Sequence, residues 1–312
     1  MFGLRYHVAS LAAVFVALAV GILLGVALSG KVSDAEESFE RNRIAELERR
    51  LDEDVQGAEE RADAAVRRGA ATEELFARAY PALMDSRLEG RSVAVLFLGP
   101  VDGSMRAAVE RTLADAGGIA PLRVVGLDVP VDGSDLHAAL EGDEALAAYA
   151  RGEDDFSALG RELGRELVEG GETPLWDSLA TRLVEERSGT TSLPVDGAVV
   201  VGTWAPPEDV ADGGDEAAAE VRATTSLLEA LVRGLDGTGV PVVGVAETSA
   251  APELIDFYRE QGISSVDDVD APSGRLALAL LLAGAEPGNY GVDEGSDGVV
   301  PPIEPLPAPE GD

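Results

Sequence analysis

The sequence predicts an α/β protein in which an N-terminal transmembrane helix and a long coiled-coil helix precede a Rossmann-like three-layer domain with a mostly parallel sheet. Three observations predict this class. Residues 8–29 form an uncharged apolar run, residues 31–84 repeat apolar side chains at steps of three and four, and short apolar runs alternate with helical patterns from residue 91. The predicted segments are an anchor over 1–30, a coiled coil over 31–85, an extracytoplasmic α/β domain over 90–285, and a disordered acidic tail over 286–312.

The apolar run over residues 8–29 contains only two polar side chains, Ser10 and Ser29. At about 1.5 Å per helical residue its length matches a hydrocarbon core of roughly 30 Å. Arg5 precedes the run and acidic residues follow it, which predicts a cytoplasmic N-terminus in the cell membrane. A cleaved signal peptide or a buried helix would also explain an apolar run. An anchor is favoured because a signal core usually has only about 7–15 apolar residues.

Small residues recur every four positions along the predicted anchor. They are Ala13, Ala17, Gly21, Gly25 and Ser29. Such a stripe lets a second helix approach closely, so it predicts helix packing in the membrane. An alanine-rich sequence also produces small residues by chance, and the stripe does not name a partner.

The long predicted helix carries a heptad-like row of apolar or small residues, called the apolar seam here. The seam begins with Ile44, Leu47, Leu51 and Val55 and continues through Ala58, Ala62, Ala65, Gly69 and Thr72. One doubled step of four, from Leu51 to Val55, interrupts the heptads. A solvated single helix is the alternative, because the small residues bury little apolar area. A coiled coil could be intramolecular, homodimeric or formed with another protein.

The α/β domain is predicted from apolar strands that alternate with helices. The expected strands cover residues 93–99, 122–129, 198–204 and 241–246, with a brief edge strand over 263–266. The expected helices cover residues 104–116, 135–149, 155–168, 175–186, 215–235, 251–261 and 274–282. In such sheets, ligands bind beyond the carboxyl ends of the strands.

The loops at those strand ends offer few candidates for chemistry. Residues 99–104 contain glycines but neither a phosphate-loop lysine nor the dinucleotide spacing, so they predict a turn with Ser104 as a helix cap. His137 has no accompanying nucleophile motif and is interpreted as a surface residue or as a helix residue with satisfied hydrogen bonds. The sequence predicts no catalytic residue and no bound cofactor.

A run of carboxylates near the end of the domain could bind a hard cation. Its members are Asp267, Asp268 and Asp270. Aspartates before a proline and a helix are more often caps and turn formers. Cation binding and a capping or turn-forming role therefore remain the two alternative interpretations of these residues.

Composition limits the class of partner. The formal net charge of -34 repels phosphate backbones, so nucleic acid is not an expected partner. The chain contains no cysteine, which excludes disulfides and thiolate metal sites. Expected partners are the membrane and either a second copy or another protein, which would bind through the anchor and the coil.

Two segments resemble a known family. The start LRYHVASLAAVFVALAVGILLG and the later segment SSVDDVDAPSGRLALALLLAGAEPGNYG, with Gly274, Arg275 and the triplet at 289–291, resemble the actinobacterial MctB family. The resemblance implies a role in copper transport or copper homeostasis. The family is also described as located at the outer membrane. The similar corynebacterial proteins called SteB imply an alternative, an envelope partner that regulates cell-wall hydrolysis or division without binding copper.

Copper chemistry agrees poorly with the composition. Copper(I) prefers cysteine or methionine ligands and copper(II) prefers imidazole, whereas the chain has no cysteine, two histidines and three methionines. One helix cannot enclose a pore by itself. The sequence therefore favours a scaffold in copper homeostasis over a channel, with an envelope partner and an extracytoplasmic hydrolase using His137 as alternatives.

Overall fold

The computed structural model describes residues 3–28, 34–117, 120–144, 146–150, 155–202, 214–248, 250 and 252–303. The chain divides into two compact units, Met1–Glu74 and Leu75–Asp312. The described part of the first unit is helical, and the second unit contains the sheet.

Two helices dominate the N-terminal part of the chain. Helix α1 covers Gly3–Leu28, and α2 covers Asp34–Met84 with Pro81 in its last turn. The long helix predicted over 31–84 is thus confirmed from Asp34 onward. Among the helices that the structure describes, none combines the length and apolar character needed to cross a membrane. The described residues therefore do not support the transmembrane span predicted over 8–29.

The described part of the second unit contains one seven-stranded sheet with the order β3-β2-β1-β4-β5-β6-β7. Its strands are β1 (Val93–Phe97), β2 (Arg123–Leu127), β3 (Val184–Gly189), β4 (Gly197–Val201), β5 (Val242–Val245), β6 (Ser264–Val266) and β7 (Asn289–Tyr290). All neighbouring strands are parallel except β2 and β3. The order resembles that of a doubly wound fold, which confirms the mostly parallel α/β class.

Helices cover both faces of this sheet. They are α3 (Gly103–Gly117), α4 (Gly133–Gly142), α5 (Ser157–Glu169), α6 (Pro174–Leu183), α7 (Gly214–Asp236), α8 (Pro252–Gln261) and α9 (Pro272–Leu282). On one face, the five helices from α4 through α8 pack against alternate strand residues such as Leu96. On the other face, α3, α9 and Met84 pack against the remaining strand residues, such as Val95. The strands therefore lie between two apolar layers, as their continuous apolar sequences predict.

Helices α5 and α7 make the closest helix contact of the first core. A Cβ atom added at Gly164 would lie 2.3 Å from the carbonyl oxygen of Leu231. Glycine therefore permits the two backbones to approach, and any larger residue would separate these helices.

The sequence missed the strand β3 and placed a helix over its first residues. The predicted helix 175–186 ends at Leu183, and the chain then runs antiparallel to β2. The segment Val184–Gly189 has charged side chains, as edge strands often do, and lacks the apolar run that marks the other strands. The predicted helix 135–149 is likewise shorter, because α4 ends at Gly142 and a 3-10 turn follows at Ala147–Tyr149.

The C-terminal segment differs from the predicted disordered tail. Residues 286–303 are described, and β7 pairs with β6 so that β6 is not an edge strand. Tyr290 is buried and also forms a bridge with Gly298. The sequence predicts disorder here because its proline, glycine and acidic residues have no periodicity. Residues 304–312 lie outside the described residues.

Candidate functional site

A pocket of about 420 Å³ opens at the carboxyl ends of β1, β4 and β5. From β1 the chain continues toward β2 on one side of the pocket, and from β4 it continues toward β5 on the other side. Ligands usually bind at such a point in open parallel sheets. Its lining includes Phe97, Gly99, Met105, Gly202 and Leu254 together with a few polar side chains. Ligands were expected to bind at this edge of the sheet, but the sequence predicted no catalytic residue there and did not identify the pocket.

The polar side chains of this pocket are Asp102, Ser104 and Glu247. Ser104 Oγ lies 2.6 Å from Asp102 Oδ1 and 2.8 Å from Glu247 Oε1. The Ser104 hydroxyl and the backbone N–H of Met105 lower the pKa of Asp102 below its usual value. Asp102 thus caps α3, whereas Ser104 was predicted as the cap. The described lining contains carboxylates but no basic side chain, so it does not suit a phosphate.

Met105 is the soft donor in this lining, and its sulfur is a weak ligand by itself. Among the described residues, no group of three or more histidine, cysteine, aspartate or glutamate side chains is placed to hold a metal ion. One thioether beside oxygen ligands does not form the sulfur-rich site that copper(I) prefers. The described lining of the pocket therefore lacks the ligands of a copper(I) site.

The three aspartates proposed as cation ligands point to different partners. Asp267 accepts hydrogen bonds from the N–H of Val292 at 2.7 Å and of Asp293 at 3.1 Å. Ser273 Oγ donates to Asp268 at 2.6 Å, and the Thr248 N–H donates to Asp270 at 2.8 Å. Each carboxylate therefore joins a different segment. Their cation binding stays a prediction, and hydrogen bonding within the fold accounts for their positions.

The hydrogen bonds that Asp267 accepts explain why the segment after β7 is held in place. Its carboxylate is buried and also accepts a hydrogen bond from Ser296 Oγ at 2.9 Å. Three donors from one loop compensate much of the cost of burying the charge. The carboxylate thereby holds the chain that follows β7 against the end of β6.

Asp268 is the most unusual carboxylate of this group. Its side chain is 1% exposed, and its Oδ1 atom has no hydrogen-bond partner among the described residues. Burial, opposed by the hydrogen bond from Ser273 and reinforced by the charges of Asp267 and Asp270, raises the pKa of Asp268 to about 6. The charged form of this side chain therefore destabilises the native state at neutral pH.

The Asp268→Asn variant is expected to remove a pH dependence of stability. Because the native pKa of about 6 exceeds the ordinary value of 3.8, the native state binds more protons than the unfolded state between these values. The contribution of Asp268 to the free energy of unfolding of the parent should fall by roughly 2–3 kcal/mol as the pH rises from 4 to 7. Urea unfolding at several pH values should show that this component is absent from the variant.

The exposed Asp128 supplies a matched control for this measurement. Asp128→Asn removes a carboxylate from the same domain without altering the buried group. It should unfold with the pH dependence of the parent. A parent and an Asp268→Asn variant with identical pH profiles would contradict the assignment.

Arg275 joins the segment after β6 to the last turns of α2. Its Nη1 atom donates to the carbonyl oxygen of Asp270 at 2.9 Å, and its Nε atom donates to Tyr80 Oη at 3.3 Å. The guanidinium carbon lies 5.7 Å from the centre of the Tyr80 ring. Tyr80 in turn donates to Asp115 on α3 at 2.9 Å, and burial raises its pKa to about 12. Arg275 thus has a packing role that its sequence motif did not reveal.

His137 lies on α4 and is partly exposed. Its Nε2 atom is 3.5 Å from Glu141 Oε1, and its Nδ1 atom is buried with no hydrogen-bond partner in the described part of the chain. The hydroxyl of Ser104 belongs to the pocket described above and has other partners. Among the described residues, no hydroxyl nucleophile is hydrogen-bonded to the buried Nδ1 atom of His137. The expectation that the chain is not an enzyme stays a prediction.

The apolar seam is exposed in the first unit. Leu47, Leu51 and Val55 leave 60%, 42% and 49% of their surface accessible. The side chain of Ile44 lies outside the described residues. Three aliphatic side chains in one row on a solvated helix indicate a surface that another helix could cover.

The predicted seam also continues into the second unit, where it has a different role. Phe76 and Leu83 pack against the core formed by α3 and α9. The freely exposed part of the seam therefore ends near Thr72. The sequence pattern could not show where the helix stops facing solvent and starts to contact the domain.

The stripe predicted on the anchor is only partly described. Ala13, Ala17 and Gly21 are exposed on α1, and an added Cβ at Gly21 would contact nothing within 4 Å. The surroundings of Gly25 are not described, and Ser29 lies outside the described residues. Helix packing through this stripe stays a prediction.

These features define a protein with a long exposed helix, an apolar seam and a doubly wound α/β domain. A family model described as "Copper transport outer membrane protein, MctB" matches residues 1–301, and the chain belongs to this family. Proteins named "Copper transporter MctB" from Mycobacterium bovis and Mycobacterium tuberculosis are 26% identical over 326 residues, which cover 95% of this chain and 98% of theirs. The resemblance seen in the two terminal segments is thereby confirmed.

Proposed function

We propose that this chain serves copper transport at the cell envelope as a membrane-anchored helical scaffold. Membership of a family described as copper transport proteins supports the copper role, and the family description supports an envelope location. The related mycobacterial proteins are named copper transporters. The scaffold part of the proposal is carried by one observation, the exposed apolar seam.

The seam supports association because exposed aliphatic rows are costly on an isolated helix. Burying Leu47, Leu51 or Val55 fully would contribute about 1.5–3 kcal/mol each. The exposed ion pairs of the same helix contribute only a few tenths of a kcal/mol each, as for Arg50 and Glu46 at 2.6 Å. Association of the seam with another helix would therefore stabilise this segment more than any one of these ion pairs does.

Attachment to the membrane rests on the uncharged run over residues 8–29. In this proposal the run anchors the chain, Arg5 stays on the cytoplasmic side, and the α/β domain lies outside the cell membrane. Deletion of residues 1–30 would then move the protein from the membrane fraction to the soluble fraction.

Copper enters this proposal as cargo of an assembly. A chain with no cysteine, two histidines and three methionines has few soft ligands of its own. A single helix also cannot enclose a path for an ion. The chain would therefore act on copper by organising partners, either at shared ligands or indirectly.

The same shortage of ligands favours a second candidate function. An envelope partner that regulates cell-wall hydrolysis or division would need the seam but no copper ligand. This second function would be distinguished by a strain that lacks the chain and shows a growth or division defect but no change in cellular copper.

A strain lacking the gene is expected to show altered copper tolerance, with a cellular copper content that differs about twofold from the parent. Metal analysis of washed cells and growth on graded copper measure these two quantities, and the intact gene should restore both. Unchanged copper content together with unchanged tolerance would overturn the copper role and leave the second candidate.

A further inference from the structure

The exposed part of the seam is long enough to form a coiled coil by itself, without the seam residues that lie in the second unit. Its described part extends from Leu47 to Thr72, which is between three and four heptads. From Leu75 onward α2 belongs to the second unit, and Phe76 and Leu83 are already packed there. The surface to be covered is thus the one between these limits.

Charges beside the seam differ between its two flanks. In the regular heptads from Val55 onward, Arg61 and Arg68 directly precede seam residues at the first core position, and Glu59 and Glu73 directly follow seam residues at the second. The same order occurs earlier in the sequence with Arg43 and Glu48. Asp54 and Val66 depart from the pattern. One flank is therefore mainly basic and the other mainly acidic.

Two copies in parallel register would bring these opposite flanks together. In that arrangement the basic heptad position of one chain lies beside the acidic position five residues further along the other chain. This pairs position 68 with position 73 and position 43 with position 48. Asp54 facing Glu59 is the unfavourable exception, and it falls beside the irregular step of the seam. An antiparallel pair would place acidic beside acidic and basic beside basic flanks, which is repulsive.

We propose that the partner of the seam is a second copy of this chain in parallel, in-register orientation. The proposal rests on the proposed function, because two chains anchored at their N-termini in one membrane can only extend their long helices in the same direction. Leu47, Leu51 and Val55 then each meet their own counterpart. The small residues from Ala58 to Gly69 let the two backbones approach closely.

Single cysteines test the orientation directly, because the chain has none of its own. Leu47→Cys and Ala65→Cys are made separately in the full-length protein, and membranes are treated with a thiol oxidant. In-register parallel pairing predicts a disulfide-linked pair of chains for both variants. Glu60→Cys, on the opposite side of the helix, is the matched control and should give at most one-fifth of that product.

Charge exchange tests the same pairing independently. One chain carries Arg43→Glu with Arg68→Glu, and the other carries Glu48→Arg with Glu73→Arg, each in the Ala65→Cys background. Each chain alone should cross-link at least threefold less than the unexchanged chain. Co-expression of the two, with different tags, should restore cross-linking between unlike chains.

Three results would overturn the proposal. They are cross-linking at only one of the two seam positions, cross-linking to a chain of a different mass, and no dependence on charge exchange. None of them bears on the copper phenotype of the deletion strain, which is measured separately. A monomeric chain that still restores copper content would reject the pairing and the seam-based scaffold while leaving the copper role intact.

Discussion

Replacing Gly274 with valine is expected to lower the free energy of unfolding of the second unit by about 3 kcal/mol or more. A Cβ atom at this position would lie 2.1 Å from the carbonyl oxygen of Asp268 and 2.5 Å from its Oδ1 atom. The first of these is backbone and cannot rotate away. The first turn of α9 would therefore separate from the segment after β6, and the contact of Arg275 with Tyr80 would be strained with it.

Urea unfolding of the full-length protein, followed by tryptophan fluorescence, measures this loss through the buried Trp176. Gly142→Val is the matched control, because an added Cβ there meets nothing within 4 Å. The control should shift the free energy of unfolding by less than about 1 kcal/mol. Equal stability of the Gly274→Val variant and the control would show that the close approach is not required.

Replacing Leu47, Leu51 and Val55 together with serine is expected to weaken self-association about a hundredfold or more. Each copy of the chain loses three aliphatic side chains from the contact, and each is worth about 1.5–3 kcal/mol when buried. A change of 1.4 kcal/mol is about tenfold in an equilibrium constant, so the expected effect exceeds any change in helix propensity. Sedimentation of the detergent-solubilised chain over a range of concentrations measures it.

Glu53→Ser with Glu60→Ser controls for the introduced serines. Both positions are exposed on the side of α2 opposite the seam, so they change helix propensity without removing apolar contact. This control should associate as the parent does. Equal weakening in both variants would mean that serine disturbs the helix, and equal association in all three proteins would refute the seam as a contact surface.

The elements best predicted from the sequence are those with continuous apolar or periodic patterns. Strands β1 and β4 are buried on both faces, and their five-residue runs identified them. Strand β3 was missed because an edge strand can carry charges along its exposed side. The C-terminal segment was missed because its order depends on one distant carboxylate, that of Asp267, which no local pattern records.

The candidate site was less predictable than the fold. The family-like motif around Gly274 and Arg275 was recognised, but its physical role required the positions of Asp268 and Tyr80. Tyr80 and Arg275 are far apart in sequence and meet only through tertiary packing. The close approach of Gly274 to Asp268 depends on how the chain turns between them. The pocket at Asp102 and Glu247 likewise depends on strand order, since it is formed by loops from three different strands.

The most direct test of the scaffold role is cellular copper content in the deletion strain supplied with the seam variant. We expect the chain with serine at positions 47, 51 and 55 to reach the membrane in normal amounts but to fail to restore copper content. The control with serine at positions 53 and 60 should restore it fully. Full restoration by the seam variant would refute the scaffold role, because copper transport would then not require association through this surface.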